Sequence, residues 1–345
     1  MYFSGSDQYK FLSKTTKKTN EFVKAKPDLV FHDTILDWDS VLYSQLIDKV
    51  KVWYFQSMTL KNPVNVYPAR FTGSNERSDS KAVLAGNTVY VLEYGKLYSI
   101  DVTSLIDTSG SNVSSPVIRE VSLHGDDSRA SHLVDISSSG KYCFGIDTEG
   151  GIYRIPDLIF HREDVVLRRI YSGYAFNLAL SDTGAVYSWG TGSRGELGQD
   201  CDSVECETPQ RIDFFDDLPS VVVDLACGGW HALALTSDGD IYSWGWNESG
   251  QLGHSAEKLS SVSPHPFPVD LGSANDPVRQ IAAGARHSIA VLKSGQLYTW
   301  GLNKFGQLGL GDCENRSVPS PVEGSVEGRV NRAYCGRWST VINIT

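Results

Sequence analysis

Gly228-Gly-Trp-His-Ala-Leu-Ala-Leu235, then Asp238-Gly239, Tyr242-Ser-Trp-Gly245 and Gly250-Gln-Leu-Gly253, is a passage the chain writes three times. The earlier copy runs Gly173-Tyr-Ala-Phe-Asn-Leu-Ala-Leu180, Asp182-Thr-Gly184, Tyr187-Ser-Trp-Gly190 and Gly195-Glu-Leu-Gly198. The later one runs Gly284-Ala-Arg-His-Ser-Ile-Ala-Val291, Ser294-Gly295, Tyr298-Thr-Trp-Gly301 and Gly306-Gln-Leu-Gly309. The steps from Gly190 to Gly245 to Gly301 are 55 and 56 residues. Self-similarity at such a period means one small structural unit copied and stacked.

Each copy reads as a hairpin. Ser288-Ile-Ala-Val-Leu292 is a nearly continuous apolar run of the kind a buried strand shows. Ser294-Gly295 supplies a tight turn. Leu297-Tyr-Thr-Trp300 is a second strand. A polar, glycine-rich loop from Gly301 to Gly309 follows, then a link rich in Pro and Ser (Val318-Pro-Ser-Pro321). The unit holds about four short strands and no long amphipathic helix. Such sheets bury their faces only against neighbouring copies, and closing the array removes its exposed edges.

The expected fold is therefore all-β, a β-propeller of one domain over residues 1–345, with strong repeats in 165–345 and degenerate ones in 1–164. Weaker hairpins are predicted in Ser139–Tyr153, in Thr88–Leu92 with Lys96–Ile100, and in Trp38–Tyr43 with Lys49–Trp53. Residues Ala333–Ile342 open a unit, and Tyr2-Phe-Ser-Gly5 matches the Tyr187-Ser-Trp-Gly190 half of one. The N-terminal strand is thus expected to pair with the C-terminal strand and close a ring of seven blades. Six is the fallback, because the gap from Gly140 to Gly173 is short for a full blade.

Composition agrees. The 345 residues are 41% hydrophobic, with 8 Trp, 16 Tyr, 13 Phe and 32 Gly. The net charge of −10 argues against broad electrostatic capture of nucleic acid or of anionic membrane. None of the six cysteines (Cys143, Cys201, Cys206, Cys227, Cys313, Cys335) forms a C-x-x-C pair, so no zinc is expected. No signal peptide or apolar span of membrane length is visible. Reduced thiols in an intracellular protein are the corresponding expectation. No Ser/His/Asp set, paired carboxylate or metal spacing stands out, so neither catalytic residues nor a cofactor are expected.

The repeat explains several motifs that would otherwise suggest chemistry. Gly190-Thr-Gly-Ser-Arg-Gly195 spells a dinucleotide fingerprint, which requires a strand before it and a helix after it. Its outer glycines align with Gly245 and Gly250, and with Gly301 and Gly306, so they read as turn positions. His231 and His287 align with Phe176 and Ser339, and read as packing or as a backbone hydrogen bond. Trp189, Trp244 and Trp300 read as core.

Function is better sought where the copies disagree. Trp246-Asn247-Glu248 follows a Trp-Gly pair where the other copies have Thr191 and Leu302. Trp230, Arg286, Arg337 and Trp338 precede the apolar strands of their units. The insertion Leu259–Asp276 places Phe267 among Pro264, Pro266 and Pro268, as a Pro-rich loop. Exposed aromatics and arginines on one face suit a protein–protein hot spot. Trp230, Trp246, Asn247, Glu248, Arg286, Arg337, Trp338 and Phe267 are the candidate partner-binding residues. The lysine-rich run Lys10–Lys26 reads as a solvated loop.

The unit Gly-x-x-His, Asp-Gly, Tyr-x-Trp-Gly, Gly-Gln-Leu-Gly resembles the repeat of the regulator-of-chromosome-condensation family. The resemblance is strong across 165–345 and implies a seven-bladed propeller. Gly229-Trp-His, Trp244-Gly-Trp-Asn-Glu-Ser-Gly-Gln-Leu252 and His265-Pro-Phe-Pro268 most resemble a chromatin-associated animal member. That implies a non-enzymatic nuclear scaffold, present also in the cytoplasm, monomeric within a heteromeric complex. Its partner would be a JmjC-domain 2-oxoglutarate-dependent oxygenase acting in chromatin regulation and chromosome segregation. It further implies hydroxylation of an arginine ahead of the strong repeats, for which Arg154 is the positional candidate. The family also points to histones and to a small GTPase, the latter through guanine nucleotide exchange. Against exchange stands an opening directly in a strand, without a basic tail. Light sensing through stacked tryptophans, as in plant UV-B receptors, would need several indoles at one exposed face.

Overall fold

Twenty-eight strands and one 3-10 helix make up the secondary structure of the described residues in the computed structural model. Residues 80–102, 117–124, 132–199, 205–255, 261–272, 276–324 and 328–345 are described in full. Of residues 2–67 the backbones of six strands are described. The Lys10–Lys26 run lies outside the described residues except for the backbone of one of these strands.

The strands form seven antiparallel four-stranded sheets among the described residues. They belong to two compact units, one of Met1–Leu29 with Tyr171–Thr345 and one of Val30–Ile170. In the second unit β3 (Thr34–Leu36), β4 (Ser40–Ile47), β5 (Val50–Ser57) and β6 (Val64–Tyr67) form one sheet. A second holds β7 (Lys81–Ala85), β8 (Thr88–Glu93), β9 (Lys96–Asp101) and β10 (Ile118–Glu120). A third holds β11 (Leu133–Ser138), β12 (Cys143–Asp147), β13 (Ile152–Arg154) and β14 (Asp157–Phe160). That third sheet fits the short interval before Gly173 because β13 passes to β14 through Ile155 and Pro156 alone.

The strong repeats build the rest. β15 (Leu167–Ser172), β16 (Phe176–Ser181), β17 (Val186–Thr191) and β18 (Glu205–Arg211) form a sheet that begins at the boundary of the units. The next is β19 (Val222–Cys227), β20 (His231–Thr236), β21 (Ile241–Trp246) and β22 (Val262–Val269). β23 (Val278–Ala283), β24 (His287–Leu292), β25 (Leu297–Gly301) and β26 (Arg316–Pro321) follow. β27 (Val330–Cys335) and β28 (Ser339–Ile344) share the last sheet with β1 (Tyr2–Gly5) and β2 (Thr19–Lys24). In it β1 lies antiparallel against β28, with Phe3 opposite Val341, and takes the place β17, β21 and β25 take in theirs.

Two segments read as loop or link are strands. The Pro-rich insertion contains β22, and Val318-Pro-Ser-Pro321 lies in β26. Both are edge strands of their sheets. An edge strand needs only one side of its backbone for pairing, so proline is tolerated there, and this tolerance hid the strands from the apolar pattern. One cysteine also departs from expectation. Cys206 in β18 is disulfide-bonded, whereas Cys143, Cys227, Cys313 and Cys335 are free.

The core lies between successive sheets. Phe176, Leu178 and Leu180 of β16 pack with Val222, Leu225, Ala232, Ala234 and Trp244 of the following sheet. Leu233, Leu235 and Ile241 pack likewise with Ile281, Ala290 and Trp300. The tryptophans also latch one sheet to the last loop of the sheet before it. Trp244 Nε1 donates to the Glu196 carbonyl at 2.8 Å, and Trp300 Nε1 to the Gln251 carbonyl at 2.9 Å. Gly198, which ends Gly-Glu-Leu-Gly, and Gly253, which ends Gly-Gln-Leu-Gly, leave the room this needs. A Cβ on Gly198 would sit 2.7 Å from Trp244 Nε1, and one on Gly253 3.0 Å from Trp300 Nε1. Inside the three sheets of β17, β21 and β25 a hydroxyl ties the same motif down, with Ser188 donating to the Leu197 carbonyl, Ser243 to Leu252 and Thr299 to Leu308.

Candidate functional site: an arginine and aromatic face

The short loops that join the first and second strands of the last four sheets are strung together by backbone hydrogen bonds. Tyr174 N–H donates to the Gly229 carbonyl at 3.1 Å, Gly229 N–H to Ala285 at 3.2 Å, and Ala285 N–H to Arg337 at 3.1 Å. The approach is close: a Cβ on Gly229 would lie 2.7 Å from the Ala285 carbonyl oxygen. The neighbouring side chains of these loops are thereby held beside one another.

A second set of loops, Gly190–Gly195, Gly245–Gly250 and Gly301–Gly306, begins in each case with a glycine at φ of +105°, +100° or +102°. At Gly245 a Cβ would lie 2.6 Å from the Trp230 carbonyl oxygen, so the two loop sets touch through backbone. Each loop joins two strands, with no helix following, and the dinucleotide fingerprint lacks its structural context.

Where the loop sets meet, Trp230 and Trp246 pack edge to face with ring centroids 5.5 Å apart. The Arg194 guanidinium lies 5.2 Å from the Trp230 ring and 4.8 Å from that of Trp246. Arg286 stacks on Trp246 at 4.1 Å. Tyr174 extends the row from Trp230 at 5.3 Å, and Arg337 lies over the Tyr174 ring at 5.5 Å. Stacking of this kind holds a guanidinium in place while leaving its N–H groups to bond elsewhere. Glu248 Oε2 stands 4.0 Å from Arg286. Arg194 interacts electrostatically with the buried Glu196 carboxyl two residues on. The Nε of Arg286 is buried without an acceptor.

The structure thus brings Trp230, Trp246, Glu248, Arg286 and Arg337 together. Trp338 is half-buried and packs on Phe305 at 5.6 Å, beside Arg337 in sequence. Asn247 serves the loop itself, its Oδ1 accepting the Leu252 N–H at 3.0 Å as Asn303 accepts that of Leu308. Phe267 is exposed on the edge strand β22, edge-on to His254. Arg154 belongs to the other compact unit, exposed on β13, with its guanidinium 5.7 Å from the Tyr142 ring. Tyr174, which is 54% exposed, and Arg194 are members of the face that motif reading passed over. Both stand at positions where the copies differ, Tyr174 aligned with Gly229, Ala285 and Arg337, and Arg194 with Ser249 and Phe305. That variation was the available signal.

The recurring polar residues are spent on structure. His231 Nε2 meets the Ser288 hydroxyl at 2.8 Å, and that hydroxyl donates to the Gln251 carbonyl. His287 Nε2 meets Thr340, which donates to the Gln307 carbonyl. Burial pulls His231 down to about 3, aided by His287, and pulls His287 down to about 4. Neither is poised to exchange protons near neutrality. Burial also pushes the thiols of Cys143, Cys227 and Cys335 upward, away from a reactive thiolate. Glu196 takes the place of Gln251 and Gln307, each accepting the backbone N–H two residues earlier. Its carboxyl is raised, chiefly by burial. Among the described residues no group of three His, Cys, Asp or Glu could hold a metal ion, and no helix is long and apolar enough to cross a membrane.

Two models of the regulator of chromosome condensation (RCC1) repeat match the chain, one at residues 183–235, 238–291 and 294–342, the other at 168–196, 222–251 and 278–307. The chain is similar to human RCC1 domain-containing protein 1, 32% identical over 230 residues that cover 55% of this chain and 60% of the relative. It spans less than two thirds of that relative's length. Human WBSCR16 is similar in structure, with a TM-score of 0.75 at 17% identity, covering 100% of this chain and 99% of the other. So is Prp20p of Saccharomyces cerevisiae, described with its binding properties to Gsp1p and histones, with a TM-score of 0.74 at 17% identity over 99% and 90% of the two chains. At these identities the likeness shows the fold alone, an all-β, propeller-like arrangement of repeated four-stranded sheets.

Proposed function

The chain belongs to the regulator of chromosome condensation repeat family, and from that premise we propose that it is a non-enzymatic scaffold that docks a partner protein on its arginine and aromatic face. The observation that carries the reading is the convergence of Arg194, Trp230, Trp246, Arg286, Tyr174 and Arg337 from loops whose repeated residues are spent on the framework. Aromatic and arginine side chains are the residue types that dominate binding energy at protein interfaces. The recurring Gly, His, Trp and Gln positions build sheets; the positions free to vary are gathered in one place.

The partner is a JmjC-domain 2-oxoglutarate-dependent oxygenase, in the nucleus, within chromatin regulation and chromosome segregation. The support is the likeness of residues 229–268 to the chromatin-associated member described above. Arg154, exposed on β13, is the proposed modified arginine. The seven sheets are proposed as the blades of one ring over 1–345, with the pairing of β1 and β28 as its closure. Purifying the tagged chain from cells and identifying what accompanies it tests the partner. Recovery of such an oxygenase is expected.

A second reading, guanine nucleotide exchange on a small GTPase, draws on the fold shared with Prp20p. Recovery of a GTPase whose nucleotide release the chain accelerates would replace the first reading with this one.

A further inference from the structure

Resting on the reading of this face as the docking site, we propose that its occupant is an acidic segment of the partner, and that Glu248 is the chain's own competitor for the same guanidinium. The chain carries a net charge of −10, yet Arg194, Arg286 and Arg337 are gathered over three aromatic rings. An apolar occupant would strip water from Arg194 and Arg286 and offer their N–H groups nothing in return, which is costly. A basic occupant is repelled. Carboxylates satisfy them, and a guanidinium held flat on an indole offers its N–H fork to a carboxylate in two-pronged fashion. A long polyanion is disfavoured by the acidic remainder of the chain, whereas a short acidic segment meets only the local positive field.

Glu248 shows what the site wants and why it is not filled from within. Its carboxylate is 4.0 Å from Arg286, at the outer limit of an ion pair, and its side chain is 62% exposed. The Arg286 Nε beside it is buried and has no acceptor. The equivalent loop positions hold Ser193 and Lys304, so the loop's geometry does not require a carboxylate there. A partner carboxylate at shorter range displaces Glu248, and the strength of that weak internal pair sets how much affinity is lost to it.

The test uses fluorescence anisotropy with the full chain and three fluorescein-labelled peptides of equal length, alternating Phe with Glu, Gln or Lys, and a single-stranded DNA oligonucleotide. The Glu/Phe peptide is expected to bind at least about tenfold more tightly than the Gln/Phe peptide, the Lys/Phe peptide least, and added salt to weaken the first. Glu248→Gln is expected to tighten the Glu/Phe peptide about two- to fivefold, the range of an exposed ion pair. Arg286→Lys keeps the charge but loses the fork and should weaken it about fivefold or more. The proposal is overturned if charge on the peptide makes no difference, if Glu248→Gln does not tighten binding, or if the oligonucleotide displaces the peptide. Tyr174→Ala separates the two levels. If the wild type binds all three peptides alike and Tyr174→Ala abolishes that binding, the docking face stands and the acidic occupant falls; if neither it nor Arg286→Lys changes anything, both fall.

Discussion

Gly228 stands where a Cβ would lie 2.1 Å from His231 Cε1 and 2.7 Å from the Gly284 carbonyl oxygen. Glycine and ring are therefore one choice, repeated at Gly284 with His287 and at Gly173 with Phe176, where the same 2.1 Å contact recurs. Gly228→Ala is predicted to cost about 1–3 kcal/mol or more in urea unfolding. Trimming the ring as well, with His231→Ser, should restore only part of that, because the carbonyl remains in the way. Trp300→Phe removes one donor to the Gln251 carbonyl and keeps most of the buried ring, so a loss of about 1–3 kcal/mol is expected. Trp300→Ala should cost about 3–5 kcal/mol. Glu196→Gln keeps the acceptor that Glu196 offers to the Arg194 N–H while removing a carboxyl that burial disfavours in its charged form. It should stabilise the protein at neutral pH, by an amount that shrinks as acid protonates the wild-type carboxyl.

At the scale of the strand, β20 and β24 each carry one histidine held neutral by burial. Their folded values, about 3 for His231 and about 4 for His287, lie below the ordinary 6.5. Above that value the rings are neutral in both folded and unfolded chains and add no pH dependence. Below it the unfolded chain takes up protons that the folded one refuses, so stability falls from about pH 6.5 down toward the folded values. The slope is about 1.4 kcal/mol per pH unit for each ring. Urea unfolding across that range should show the decline, and His287→Asn should halve it. The hairpins were legible in the sequence because their apolar runs and turn glycines are local. The edge strands β22 and β26 were not, since proline on a free edge looks like loop chemistry until the neighbouring strand is known.

Across the larger compact unit, β1 and β28 bring the two ends of the chain into one sheet. Deleting Tyr2–Gly5 should expose the paired edge of β28 and lower the melting temperature, where removal of an unpaired terminus would leave it unchanged. The framework could be read from residues on which the copies agree, and part of the face from residues on which they differ. Tyr174 and Arg194 escaped because cation and ring come from different repeats: Arg337 meets Tyr174 only once the loops are strung together by backbone. No spacing within one copy records that. Docking of the partner on this face is measured by parallel purification, from cells, of the wild-type chain and a Tyr174→Ala/Arg286→Ala variant shown by circular dichroism and thermal melting to fold alike. The JmjC oxygenase is expected with the wild type and absent from the variant. Equal recovery with both would contradict the assignment.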